Sequence, residues 1–417
     1  MKHRKKKKTA FFVTCLTVCI IAASLLFMKY ATRVITLFPM ASDQLFLFHS
    51  VLLPVGYSYY SFQGISYLID IYHDKAGAER NIFMLAIYMS FFPKFISGPI
   101  ERSKNFIDQL YPLAQVKLKD KNRLTSFFTH FLYGLFLKIV IADRIAKYTA
   151  VLFEQYDQYA SDTLIAGSLL FTIQIYCDFA GYSSIAVGLG KLYGIDLTCN
   201  FLSPYLATDI SDFWRQWHRS LSMWLRDYIY IPLGGNRKGL PRQCLNTMVV
   251  FLVSGFWHGN GFKYLAWGIL HGFYSVVHIL LKPHIPDKKI WRILGGFLTF
   301  CGISAAWILF AAPSLSAAAA YVFRIVSFQN VCFNPKVIMD SISMNNFDAC
   351  ILILSVAAVF LADYYGKRHS LSFPEAMVQS PHYVLRYLLY YLLIIIIFVF
   401  GMYGPGFQAS QFMYMNF

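Results

Sequence analysis

The sequence predicts an all-α, polytopic membrane protein, a bundle of transmembrane helices, on three observations. Hydrophobic residues make up 57% of the chain and charged residues only 14%, whereas soluble domains carry roughly 25% charged residues. The hydrophobic residues gather into runs long enough to cross a ~30 Å hydrocarbon core as helices. No polar stretch among the 417 residues is long enough to build a soluble domain beside them, so residues 1–417 read as one membrane domain. The net charge of +16 fits basic loops facing one side of a lipid bilayer and calls for no nucleic-acid partner.

The elements follow in chain order. Residues 1–8, MKHRKKKK, form a basic tract ahead of Thr9–Met28, an apolar run of 20 residues. A signal peptide has a shorter apolar core and a small-residue cleavage site. Residues 9–28 are therefore expected to be the first transmembrane helix, uncleaved, with the N-terminus in the cytoplasm. Further spans are expected at 45–70, 124–142, 163–190, 246–259, 262–281, 290–311, 349–365 and 384–403. The basic loops 100–123, 191–245, 282–289 and 366–383 belong inside by the positive-inside rule. Loop 143–162 has more acids than bases and the tail after Tyr403 has no charge, so both are expected outside.

Residues 82–99 resemble a span in hydropathy, yet Lys75 and Arg80 precede them and Arg102, Lys104 and Lys117 follow. Pro93, Gly98 and Pro99 break the helix near its end. A re-entrant segment reconciles charge with hydropathy, and such backbone is tolerated only where it is buried in protein or lines a watery cavity. The alternative is a full span that obeys the charge rule weakly.

The eight cysteines show no CxxC pair and no zinc spacing, and most sit in apolar runs as small hydrophobes. Cys332 and Cys350 flank an expected outside loop and could bridge. The sequence has no GxGxxG, Walker A, HExxH or GxSxG pattern. It therefore gives no reason to expect a bound metal or a tightly held cofactor, and it argues against a nucleotide-driven pump, a zinc protease and a serine hydrolase.

Titratable residues are densest between Ser211 and Asn260. On a helix from Asp212 to Tyr230, Trp214, Trp217, Leu221, Trp224, Leu225 and Tyr228 share one face, at about 100° per residue. Arg215, Arg219, Ser222 and Arg226 form a separate stripe, and His218 sits where the two meet. Ser211 can cap this helix and Asp212 suits its dipole. One reading is an interfacial cytoplasmic helix with tryptophans at the headgroups. The other turns the aromatic face to the bundle, so that the arginines guide an anionic donor and His218 lines a tunnel. The polar stretch Gly234–Gly239, with Arg237 and Lys238, is a loop whose backbone could approach a ligand.

His258 follows the apolar run that starts at Asn246, which places it about 18 Å along a helix and near mid-membrane. An imidazole there titrates near neutrality and can serve as a general base. Gly255, Gly259 and Gly261 would leave room for a substrate. A core histidine with a satisfied hydrogen bond is the alternative. His271, beside Trp267 and Gly268, reads as helix packing or as support for the site. Asp178, mid-span, needs a partner or an aqueous cavity; it could orient a histidine or fix helix packing.

Several stretches resemble the membrane-bound O-acyltransferase superfamily, in a branch similar to the bacterial alginate O-acetyltransferases. They are LPVGYSYYSFQGISYLIDIY (53–72), FFPKFISGPIERSKNFIDQL (91–110), IQIYCDFAGYSSIAVGLG (173–190), SDFWRQWHRSLSMWLRDYIYIPLGGN (211–236), SGFWHG (254–259) and FMYMNF (412–417). The resemblance implies a helical bundle with a central tunnel in the cell membrane. It implies acyl transfer from a cytoplasmic thioester, acetyl-CoA or another acyl thioester, to a hydroxyl. The family's invariant histidine matches His258 and its second polar site residue matches His218. Arg215, Arg219, Arg226, Arg237 and Lys238 are then candidates for the donor's phosphates, and Trp214, Trp217, Asp178, Trp257, Asn260 and His271 for the tunnel and its support. The resemblance also implies an extracellular SGNH-hydrolase-like partner that passes the acetyl group to a polysaccharide.

The chain departs from the pattern in places. Ser184 stands where relatives often have Asp, Trp307–Ala312 lacks the arginine of a WxxFRA-like segment, and Asn260-Gly-Phe replaces a small-small-Trp ending. Relatives carry further apolar sequence ahead of the part matching residue 10, so one or two spans are expected to be lacking here. D-alanyl transfer from a carrier protein to teichoic acid, direct acylation of a lipid-linked sugar, a transporter and a noncatalytic scaffold are the competing readings.

Overall fold

The computed structural model describes residues 2–35, 56–95, 97–115 and 120–404. The side chains of residues 2–6, 31–35 and 114–115 lie outside the description, as do residues 45–55 of one expected span and the terminal stretch 412–417. No strand occurs among the described residues. Seven described helices are long and apolar enough to cross a membrane, and the chain is a multi-pass helical membrane protein.

Helix α1 (Lys2–Ile35) carries the first apolar run, and α2 (Tyr57–Tyr72) packs along it. Helix α3 (Ile82–Ser90) is capped by Asn81, whose side chain accepts from the Phe83 amide. Its nine residues extend only about 14 Å, too short for a ~30 Å core. A 3-10 turn at Phe92–Lys94 follows, with Pro93 in it, and the chain resumes at α4 (Ser103–Leu110). Residues 82–99 therefore hold no continuous helix of spanning length among the described residues.

Helix α5 (Lys121–Leu135) runs through a π-helical turn, Phe136–Ala142, into α6 (Asp143–Glu154). The result is one rod of 34 residues, Lys121–Glu154. This corrects the expected loop 143–162, most of which is helix. Lys138 reaches Asp143 at 2.9 Å and Asp178 at 2.7 Å. Asp143 is thus buried as an ion-pair partner, which hydropathy and loop charge alone do not reveal. Helix α7 (Ser161–Tyr193) crosses the rod closely, since a Cβ on Gly134 would meet the Gly181 carbonyl at 2.6 Å.

The expected single helix from Asp212 to Tyr230 is two helices, α8 (Ile210–Gln216) and α9 (Arg219–Leu225), followed by a π-helical turn at Arg226–Tyr230. The break falls at Trp217 and His218. Asp209, not Ser211, caps α8, its carboxylate accepting from the Asp212 amide at 2.7 Å. Trp217, Leu221, Trp224 and Leu225 are all buried, so the aromatic face is turned to the bundle and not to the headgroups.

Helix α10 (Leu240–His258) begins one and a half turns before the expected Asn246 and packs against α11 (Phe262–Leu281). Helices α12 (Lys289–Ala311), α13 (Leu315–Val326), α14 (Pro335–Ser341), α15 (Asn346–His369), α16 (Phe373–Gln379) and α17 (Tyr383–Phe400) complete the chain. Helix α13 is apolar but short and falls between the expected spans 290–311 and 349–365. Arg144 binds the Asp348 carboxylate and donates to the Phe400 carbonyl at 2.6 Å, which ties the rod to α15 and α17. Cys332 and Cys350 are both free thiols, so the considered bridge does not form.

Candidate active site

His258 is the last residue of α10, about 27 Å along that helix and 3% exposed. Three aromatic rings enclose it edge-on: Trp257 and Trp267, each at 4.9 Å between centroids, and Phe310 at 5.5 Å. His218 is 1% exposed and lies 4.7 Å from Phe179, 6.1 Å from Trp257 and 6.5 Å from Tyr59. Both imidazoles therefore rest against the same indole, that of Trp257, although 40 residues of chain separate them.

The local backbone explains how His218 gets there. Its φ of 41° and ψ of 54° put a non-glycine residue in the left-handed region, which costs of order 1–3 kcal/mol. Asn200, fully buried, holds the kink: its carbonyl accepts from the Arg219 amide at 3.0 Å and its side-chain oxygen from the Ser220 amide at 3.3 Å. These amides start α9, where helical donors have no partner of their own. Ser220 Oγ in turn accepts from the Ile100 amide at 3.0 Å. The end of the proposed re-entrant segment is thus tied two residues from His218.

The residues flanking His218 open onto a cleft of about 670 Å³. Arg215, Arg219, Arg226 and Lys367 line it, with Asp212 the one acid among its lining residues. Arg226 is partly neutralised by Asp227 at 2.8 Å. Arg237 and Lys238 are not in this cleft; they belong to the turn before α10. Asn246 fixes that turn through the Gly235 carbonyl at 2.8 Å, and Gly234 and Gly235 have φ of 109° and 56°, which favours glycine.

The remaining expected residues divide. Trp214 packs on His271 at 5.0 Å, and His271 on Trp267 at 4.6 Å, so His271 backs the tryptophan that faces His258. Trp217 packs on Trp307 at 5.0 Å. Asp178 pairs with Lys138 and so serves the rod–α7 contact. Asn260 is exposed and donates to the Lys29 carbonyl at 3.3 Å. The glycines near His258 serve packing: a Cβ on Gly255 would meet the Tyr264 carbonyl at 2.5 Å, and one on Gly259 the Tyr264 ring at 2.3 Å. The room they make is filled by α11, not left for a substrate.

Cys199 lies beside this region, in the loop after α7. Burial pushes its thiol up to about 11, and Sγ donates to the Phe201 carbonyl at 2.9 Å. A protonated thiol is a poor nucleophile at neutral pH, so Cys199 is not primed for covalent chemistry.

Two lysines escaped the sequence reading. Lys29 follows the first apolar run and looks like an ordinary flank, and Lys367 sits in a basic loop. Their placement depends on long-range packing, and nothing local marks either one.

The profile of the MBOAT, membrane-bound O-acyltransferase family, matches residues 74–310, which hold both histidines. A probable alginate O-acetylase of Pseudomonas putida is 37% identical over 68% of this chain and 57% of its own length. A peptidoglycan O-acetyltransferase of Helicobacter pylori is 32% identical over 79% of this chain and 71% of its own. A teichoic acid D-alanyltransferase of Streptococcus thermophilus is 28% identical over 61% and 68%. The chain spans between half and two thirds of the probable alginate O-acetylases it matches, from Pseudomonas and Azotobacter.

Proposed function

The chain belongs to the membrane-bound O-acyltransferase family, and from that premise we propose that it transfers an acyl group, acetyl, from a cytoplasmic thioester toward the hydroxyls of an envelope or extracellular polysaccharide. The observation that carries this reading is the convergence of His218 and His258 on one buried indole, with a cationic cleft at the residues flanking His218. The polysaccharide acceptor is supported by the names of the alginate and peptidoglycan relatives. In this reading the N-terminus is cytoplasmic, the membrane is the plasma membrane, and an extracellular SGNH-hydrolase-like partner takes over the acetyl group.

The chemistry is economical. A thioester is already activated, so the alcohol mainly needs a base. His258 takes the hydroxyl proton as the oxygen attacks the acyl carbonyl. The C–S bond then breaks, and the leaving thiolate recovers the proton from the imidazolium. His218 orients the donor or stabilises the oxyanion. The aromatic shell excludes water, which would otherwise hydrolyse the thioester. Arg215, Arg219 and Lys367 bind the donor's phosphates at the cleft.

Charge reversal tests the donor site. Arg219→Glu with Lys367→Glu is expected to raise the KM for acetyl-CoA by about tenfold or more, with a smaller effect on kcat. Arg237→Glu with Lys238→Glu, outside the cleft, is expected to stay within about threefold. Initial rates of labelled acetyl transfer in membranes containing the native partner give both values. Equal effects from the two pairs would remove the cleft as the donor site. Transfer of labelled D-alanine from a carrier protein, with none from acetyl-CoA, would replace the acetyl reading.

A further inference from the structure

The C-terminal part of α1 is clamped to the last turn of α10. Lys29 is 6% exposed; its ammonium donates to the Trp257 carbonyl and lies 5.3 Å from the Trp257 ring centroid. Tyr30 Oη donates to the Gly259 carbonyl at 3.1 Å and the Phe256 carbonyl at 3.3 Å. The Asn260 side chain returns a bond to the Lys29 carbonyl.

Carbonyls at a helix end lack intrahelical donors, and a cation suits the negative end of the dipole. A neutral donor would be enough for capping alone, and Tyr30 already supplies one. A buried ammonium is costly to take out of water, so its presence at this helix end calls for more than a capping role. This one is bound to the peptide that joins Trp257 to His258, at the point where the indole shared by both histidines meets the base.

We propose that Lys29 is a positioning residue of the acyl-transfer site: its buried ammonium holds the Trp257 carbonyl and so sets the orientation of His258, the next residue. The inference rests on His258 being the base. The charge fixes the peptide more firmly than a neutral bond does, since hydrogen bonds from ionised donors are roughly twice as strong. Looser placement of the imidazole costs rate in the transfer step, because a misplacement near 1 Å can cost about 100-fold. Donor binding at the distant cationic cleft is left intact.

The test uses the full chain in membranes with its native partner, acetyl-CoA as the donor, and wild type beside Lys29→Met, Lys29→Arg, Tyr30→Phe and His258→Ala. Lys29→Met is expected to lower kcat about 100-fold, with the KM for acetyl-CoA within about threefold. Lys29→Arg is expected to recover to within about tenfold of wild type, and Tyr30→Phe, which removes only a neutral contact at the same helix end, to within about threefold. A wild-type kcat in Lys29→Met, or an equal loss in Tyr30→Phe, overturns the inference. If Lys29→Met does not accumulate, Lys29→Gln decides: a kcat at least about tenfold below that of Lys29→Arg supports a role for the charge, and equality overturns it. An active His258→Ala would instead remove the base reading itself, whereas an inactive His258→Ala beside an unimpaired Lys29→Met sinks this inference alone.

Discussion

Replacing His258 with alanine is expected to lower acyl transfer by about 1,000-fold, with the protein still inserted at normal levels. Positioned general bases contribute roughly 10²–10⁴ in rate, and no other described residue has this one's combination of burial, position at the end of α10 and contact with Trp257. His258→Gln is expected to fall as far, because an amide cannot take the proton even though it fills much of the same space among Trp257, Trp267 and Phe310. Initial rates normalised to membrane protein level measure both. A rate within tenfold of wild type in either variant would contradict the assignment.

The second large effect is on stability. Lys138 stands between Asp143 and Asp178, at 2.9 Å and 2.7 Å, all three buried. Lys138→Met leaves two buried carboxylates without their lysine. Removing one partner of a buried ion pair typically costs about 3–5 kcal/mol. The expected result is loss of folded protein or a large drop in Tm in detergent. Adding Asp178→Asn to Lys138→Met removes one of the stranded charges and is expected to recover part of the loss. A Tm for Lys138→Met within about 2 °C of wild type would mean that the cluster contributes little.

Much of this architecture was legible in the chain. Apolar runs of helical length mark the crossing helices, because in lipid the backbone must satisfy its own hydrogen bonds. The helical spacing of Trp217, Leu221 and Trp224 put them on one face, and it is the structure that turns that face to the bundle and not to the headgroups. The break at Trp217 and His218 was not legible, since that spacing continues across it. The kink is set by Asn200, well upstream, which takes over the amides of Arg219 and Ser220. Asp143 was misread as loop because its partner Lys138 sits one turn earlier in an apolar run. Gly255 and Gly259 were misread as room for a ligand because only the packing of α11 reveals what fills that room. In the site, local pattern separated the arginines from the aromatic face, but it could not distinguish Arg219, which lines the cleft, from Arg237, which does not.

The central claim is that His258 is the base for acyl transfer from a donor on the basic face to an acceptor across the membrane. Sealed inverted vesicles containing the native partner, given labelled acetyl-CoA from outside, test it most directly. Wild type is expected to place label in the enclosed partner or glycan, protected from added esterase, and His258→Ala to leave it at background. Equal protected label with both proteins would contradict it.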